Sequence, residues 1–113
     1  MGREYRSIAV TADEFDQAVR AYLASREVRA VHGASIASLD LENADEPDQV
    51  QCRIRLAEPM LDGVEEILLD AAELVEAMVQ LCRARAVPLP RSALKTIGRV
   101  NGDLALMIEL DFF

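Results

Sequence analysis

Ile8-Ala9-Val10-Thr11-Ala12-Asp13-Glu14-Phe15 returns 59 positions later as Ile67-Leu68-Leu69-Asp70-Ala71-Ala72-Glu73-Leu74. In each stretch an apolar run stops at a residue able to cap a helix, and a Glu follows three positions on. Thr11 with Glu14, and Asp70 with Glu73, have the form of capping boxes, in which cap and Glu each accept from the other's backbone N–H. Both stretches are therefore read as the end of a strand followed by the start of a helix.

The likeness runs on downstream, with Ala18 over Ala77, Arg26 over Arg85 and Val28 over Val87. Phe15, Ala18, Val19, Tyr22 and Leu23 recur at the spacing of a helix packed on a sheet, as do Leu74, Ala77, Met78, Leu81 and Cys82. Two alternating segments follow the first helix, Ala37–Glu42 and Val50–Leu56, around a turn-forming stretch from Asn43 to Asp48. Pairing Leu41 with Val50, Leu39 with Cys52 and Ala37 with Ile54 puts the apolar residues on one face.

The second hairpin sets two signals against each other. Asn101-Gly102 favours a two-residue type I′ turn, which places Lys95 and Arg99 beside Leu104, Leu106 and Ile108. A three-residue bulged loop with a left-handed Gly102 groups Leu94, Thr96, Gly98 and Val100 with those apolar residues instead. One-sided burial favours the bulged loop.

These readings predict one α+β domain over residues 1–113, made of two β-α-β-β repeats at about 5–58 and 64–113. The expected architecture is a mainly antiparallel six-stranded sheet with two helices on one face. Val19, Tyr22, Cys52, Ile54, Met78, Leu81, Leu106 and Ile108 are expected to line one core.

Composition narrows the function classes. The chain is 51% apolar and carries a net charge of −8, which suits a soluble domain and makes nucleic acid an unfavourable partner. No apolar run reaches the roughly 20 residues of a membrane helix, and the start lacks the apolar core of a signal peptide, so no membrane association and a cytoplasmic location are expected. Cys52 and Cys82 are two thiols with one histidine, His32, in the whole chain, so the common zinc spacings are absent. The dispersed glycines match no phosphate-binding loop, and Asp45, Glu46 and Asp48 lack the spacing of a calcium loop. No metal, cofactor or catalytic residue is assigned, and a non-enzymatic role is expected.

One feature stands out from this acidic background. Between Ala77 and Gly102 lie Arg83, Arg85, Arg91, Lys95 and Arg99 without one Asp or Glu. They form the candidate binding surface, with Lys95 and Arg99 expected beside Asp103 and Glu109, and Arg83, Arg85 and Arg91 expected free of partners. Charge reversal at Arg85 and Arg91 is accordingly expected to leave stability nearly unchanged. The second helix also has Val75 and Val79 where the first has Asp16 and Arg20. With Phe112 and Phe113, these valines are the candidate homo-oligomer contact. The resulting expectation is a self-associating interaction or regulatory module with a basic surface for an acidic protein. The alternative is a small-anion or oligonucleotide-binding domain using the same arginines.

Overall fold

A computed structural model describes residues 2–25, 36–46, 48–57, 66–90 and 93–112, with Asp111 and Phe112 described by their backbone alone. In chain order the elements are β1 (Gly2–Ala9), α1 (Ala12–Ser25), β2 (Ile36–Glu42), β3 (Gln51–Leu56), β4 (Glu66–Leu69), α2 (Ala71–Ala84), β5 (Leu94–Val100) and β6 (Asp103–Phe112). This is the expected α+β order.

Both helices start as their sequences dictate. The Thr11 N–H donates to Glu14 Oε1 at 2.9 Å while the Glu14 N–H donates to Thr11 Oγ1 at 3.1 Å. At α2 the Asp70 N–H reaches Glu73 Oε1 at 3.3 Å and the Glu73 N–H reaches Asp70 Oδ1 at 2.9 Å. The end of α2 is a Schellman turn, with the Val87 N–H on the Cys82 carbonyl at 2.8 Å and the Ala86 N–H on the Arg83 carbonyl at 3.1 Å. Ala86 takes the left-handed position usually given to glycine, at φ 56°.

The six strands do not form one sheet. They form two three-stranded antiparallel sheets, β1-β6-β5 and β2-β3-β4. Each takes a hairpin from one half of the chain and its third strand from the other half. The expected single sheet with both helices on one face is thus corrected: alternation reveals which face of a strand is apolar, but not which strand lies beside it. The pairings of the two sheets nevertheless correspond position by position. Ile8 opposite Leu106 opposite Ile97 in the first sheet matches Ile67 opposite Ile54 opposite Leu39 in the second.

Both hairpin registers differ from expectation. In the first, Leu41 faces Cys52 and Leu39 faces Ile54, a slip of two residues that keeps the same face inward, with a bulge between Ile36 and Ser38. In the second, Val100 pairs directly with Asp103, and Asn101 and Gly102 have φ of 53° and 86°. The two-residue turn wins, because its dipeptide supplies both positive φ angles. The buried anchor of this strand is Ile97, fully enclosed opposite Leu106. Lys95 and Arg99 sit at the two ends of that face, where long stems can run over apolar surface and leave the charge in water.

One core joins the inner faces of both sheets to both helices. Val19, Tyr22, Cys52, Ile54, Met78, Leu106 and Ile108 lie in it as expected, whereas Leu81 is half-buried at its margin. The helices lie side by side, and Arg85 just past the end of α2 meets Glu14 and Gln17 in the first turns of α1, so they run antiparallel. Val79 is 6% exposed and belongs to this core, while Val75 is partly buried against it. The wider apolar face of α2 is therefore used inside the chain, and Val79 offers no free surface to another copy. The Phe112 backbone pairs with Gly2, and Phe113 lies outside the described residues.

Candidate functional site

The four described cations of the basic tract, Arg83, Arg85, Lys95 and Arg99, do not form one cluster. Arg83 is exposed on the last turn of α2, and Arg85 just beyond it is held by α1. The Arg85 guanidinium pairs with Glu14 through Nη1 and donates to Gln17 Oε1 through Nη2 at 2.9 Å. Its expected freedom from partners is thus corrected: the antiparallel helices bring it to the same Glu that caps α1, a contact spanning 71 positions of sequence. The Glu14 carboxyl is held below its ordinary pKa of 4.5, chiefly by the Thr11 backbone N–H, with Arg85 adding to the effect.

Lys95 lies near the other end of α2. It shares a depression of about 520 Å³ with Asp48, Asp70, Ala71, Val75 and Leu94. From Ala72 to Ala84 the helix rises about 18 Å at ~1.5 Å per residue, and that length separates Lys95 from Arg83 and Arg85. Arg91 lies outside the described residues, as does His32.

The observed turn also changes the neighbours of Lys95 and Arg99. Their cross-strand partners are Ile108 and Leu104, not Glu109 and Asp103, so the expected neutralisation does not occur. Lys95 Nζ donates to the Ala93 carbonyl at 3.3 Å, and Arg99 Nη1 to the Gly102 carbonyl at 3.4 Å. Glu109 pairs instead with Arg3 at 3.2 Å. On the other side of β6, Arg6 is also opposite Ile108, which makes Arg6, Ile108 and Lys95 one row across the inner face of the first sheet. With strands ~4.8 Å apart, the backbones of Arg6 and Lys95 stand about 10 Å from each other on either side of a buried isoleucine. Among the described residues neither has a carboxylate partner.

Arg6 could not be found from the sequence. It belongs to the other half of the chain, and only the β1-β6 pairing brings it to Lys95.

The second sheet shows what a saturated outer surface looks like in this chain. Arg53 lies between Glu42 at 3.4 Å and Glu66 at 2.9 Å, and Arg55 adds a contact to Glu66 at 3.2 Å. Gln51 donates to Glu42 at 2.9 Å, which lowers the Glu42 pKa, and the hydrogen bond to Glu66 raises that of Arg53.

Other chemistry finds little footing. The described residues contain no buried polar or charged side chain and no group of three or more His, Cys, Asp or Glu placed to hold a metal. Cys52 and Cys82 are buried free thiols. Burial pushes the Cys52 thiol up to about 11, aided by the negative charges of Asp40 and Glu42, and also raises that of Cys82. Neither is a ready nucleophile. Among the described residues no helix is long and apolar enough to cross a membrane.

The outer face of the first sheet is a second feature. A groove of about 340 Å³ runs along β6 from Tyr5 and Leu94 to Val100, floored by Ser7, Thr96 and Met107. Tyr5 and Leu94 are 66% and 62% exposed, the largest such values among the big apolar side chains of the described residues. Met107 lies across Gly98, its Cε 2.7 Å from where a Cβ at that position would stand, so a side chain there would displace the flexible end of Met107. Comparison of the chain with protein-family profiles, characterised proteins and solved structures gave no match.

Proposed function

We propose that this chain is a non-enzymatic, self-associating interaction module that docks an acidic protein segment on the first sheet, through Arg6, Lys95 and Arg99. The observation that carries the reading is the Arg6–Ile108–Lys95 row. It sets two cations without carboxylate partners on one sheet face of a protein with net charge −8. A docked carboxylate-rich segment would supply what the chain itself supplies to Arg53, Arg55 and Arg85. Such contacts add specificity and association rate and are screened by salt.

Arg83 is exposed but stands at the far end of α2, and Arg85 is engaged with Glu14, so neither is central to this surface. The alternative, a small-anion or oligonucleotide-binding domain on the same arginines, has less support. Its cations do not converge, and the depression containing Lys95 also contains Asp48 and Asp70. A cytoplasmic location belongs to the same proposal and suits two free buried thiols. So does descent from a tandem duplication of a β-α-β-β unit, which the matching capping boxes and strand pairings support.

The test uses a fluorescently labelled oligoglutamate peptide and the full chain. Wild type should bind it at low ionic strength and release it as salt rises. Arg6→Glu/Lys95→Glu should lose binding, while Arg20→Glu, which breaks only the exposed pair with Asp16, should retain it. Equal binding by wild type and the double variant, or no binding by wild type, overturns the reading.

A further inference from the structure

β1 ends the order β1-β6-β5, and no strand among the described residues lies on its other side. Which backbone groups face that side follows from one bond. The Val10 N–H donates to the Leu104 carbonyl at 2.9 Å, and these two residues continue the β1-β6 register, so they are a hydrogen-bonded pair. Such pairs alternate along an antiparallel ladder, so Ile8, Arg6 and Glu4 also turn their backbone groups toward β6. Arg3, Tyr5 and Ser7 turn theirs outward. β1 is exposed at six successive residues, whereas β2, β4 and β5, the other edge strands, are never exposed at two in succession. Such an edge is a template for one more strand.

We infer that this edge is where two copies of the chain meet, β1 against β1 and antiparallel, about a twofold axis at Tyr5. The inference rests on the reading of the protein as a self-associating module and gives that association a surface. Charge selects both the occupant and the register. Outward backbone groups must lie opposite one another, which leaves three central registers: Glu4, Tyr5 or Arg6 opposite its own copy. The first and the last set like charges against each other. The middle one sets Glu4 of each copy opposite Arg6 of the other, in the non-hydrogen-bonded pairs where side chains approach most closely. Among the described residues neither Glu4 nor Arg6 has an ion-pair partner, while Arg3 is held by Glu109.

The same register gives the outward backbone groups their partners. Tyr5 exchanges both bonds with its own copy, and Arg3 with Ser7 on either side of it. Tyr5, 66% exposed in one copy, also gains an aromatic cross-strand neighbour. Charges that deter a chance strand from this edge thus admit a copy of β1. A wholly acidic strand laid here would satisfy Arg6 but face Glu4 with like charge. Arg6 serves either contact, so a second copy and an acidic segment compete for it.

Sedimentation equilibrium of the full chain from about 10 μM to 1 mM tests this. Wild type should pass from monomer toward dimer across that range. Glu4→Arg and Arg6→Glu, each alone, replace both opposite-charge pairs with like-charge pairs and should raise the dissociation constant about tenfold or more. Both positions are exposed, so circular dichroism and thermal midpoint should not change. Mixed in equal amounts, the two variants should dimerise with each other at about wild-type strength, since one brings only cations to the contact and the other only carboxylates. Leu94→Glu, on the opposite edge strand, should dimerise like wild type. A wild-type chain that stays monomeric throughout overturns self-association itself. Dimerisation of either single variant at wild-type strength, no heterodimer in the mixture, or loss of the dimer in Leu94→Glu overturns the edge contact while leaving self-association standing. Oligoglutamate binding by Glu4→Arg, which keeps Arg6 and Lys95, separates these outcomes from the acidic-partner reading.

Discussion

Truncating Ile97 to alanine tests the register on which the proposed docking surface depends. The Ile97 side chain is fully enclosed opposite Leu106, and the change removes three carbons from the core. At ~0.8 kcal/mol for each buried carbon, the transfer loss is about 2.4 kcal/mol. The cavity left behind adds to it, within the ~2–5 kcal/mol range of such truncations, so about 3 kcal/mol is expected. For 113 residues at ~2.1 cal/mol/K each, the unfolding entropy is about 0.24 kcal/mol/K, which converts the loss to a fall of about 12 °C in Tm. The neighbouring Thr96 lies on the opposite face, opposite Met107, and Thr96→Ala should change stability by less than about 0.5 kcal/mol. Urea unfolding of both variants, with slopes equal to wild type, measures the difference. The bulged register would bury Thr96 and turn Ile97 outward. A larger loss for Thr96→Ala than for Ile97→Ala would therefore refute the two-residue turn and, with it, the Arg6–Ile108–Lys95 row.

Two further outcomes follow from the ionisable groups. Arg85→Ala should lower Tm at neutral pH, since it removes a cation that favours the ionised Glu14 in the folded state. Because folding lowers the Glu14 pKa, its contribution is present above the ordinary value of 4.5 and is lost as pH falls through the folded value, so the wild-type and Arg85→Ala midpoints should converge in acid. A gap that is constant from pH 7 to about pH 3 would show that Arg85 acts through Gln17 and its aliphatic stem and not through Glu14. Cys52 should resist a thiol reagent in the folded protein at pH 8 and react fully in urea. Its folded pKa of about 11 lies above its ordinary 9.0, so the folded state holds the proton that the unfolded chain releases, and stability should decline as pH rises from about 9 to 11. Rapid labelling without denaturant would contradict the burial of that thiol.

The features legible in the sequence were those written in neighbouring residues. Thr11 with Glu14 and Asp70 with Glu73 encode their capping boxes within one turn, and the helical stripes lead to the core because a spacing of three and four residues fixes a face. The contacts that could not be read join distant segments. Arg85 meets Glu14 only because the helices run antiparallel, and Arg6 approaches Lys95 only because β1 leaves its own half for β6. The misreading of the second hairpin is also instructive. Grouping apolar positions in β5 treated Lys95 and Arg99 as if a charge must leave the core-facing side, yet at the ends of a strand long side chains can reach water from that side. The Asn101-Gly102 dipeptide was the stronger evidence, since two successive positive φ angles exclude most residues.

That correction alters which residues carry the functional argument. With a bulged loop, the acids of β6 would neutralise Lys95 and Arg99, and the unpaired charge would lie at the end of α2. With the two-residue turn, Lys95 moves to the inner face beside Ile108 and Arg6, and Glu109 is left on the outer face with Arg3. A single residue of register thus moves the available positive charge from the helix end to the sheet. The same shift places Leu94, Thr96 and Val100 on the outer face with Met107, and so creates the apolar groove there. Arg6 also lines that groove, and Ile108 in the middle of the row is enclosed in the core, so the two cations meet solvent at the edges of the sheet and not across its inner face. An acidic segment docks at those edges, which come together because the sheet takes β1 from one half of the chain and β5 and β6 from the other.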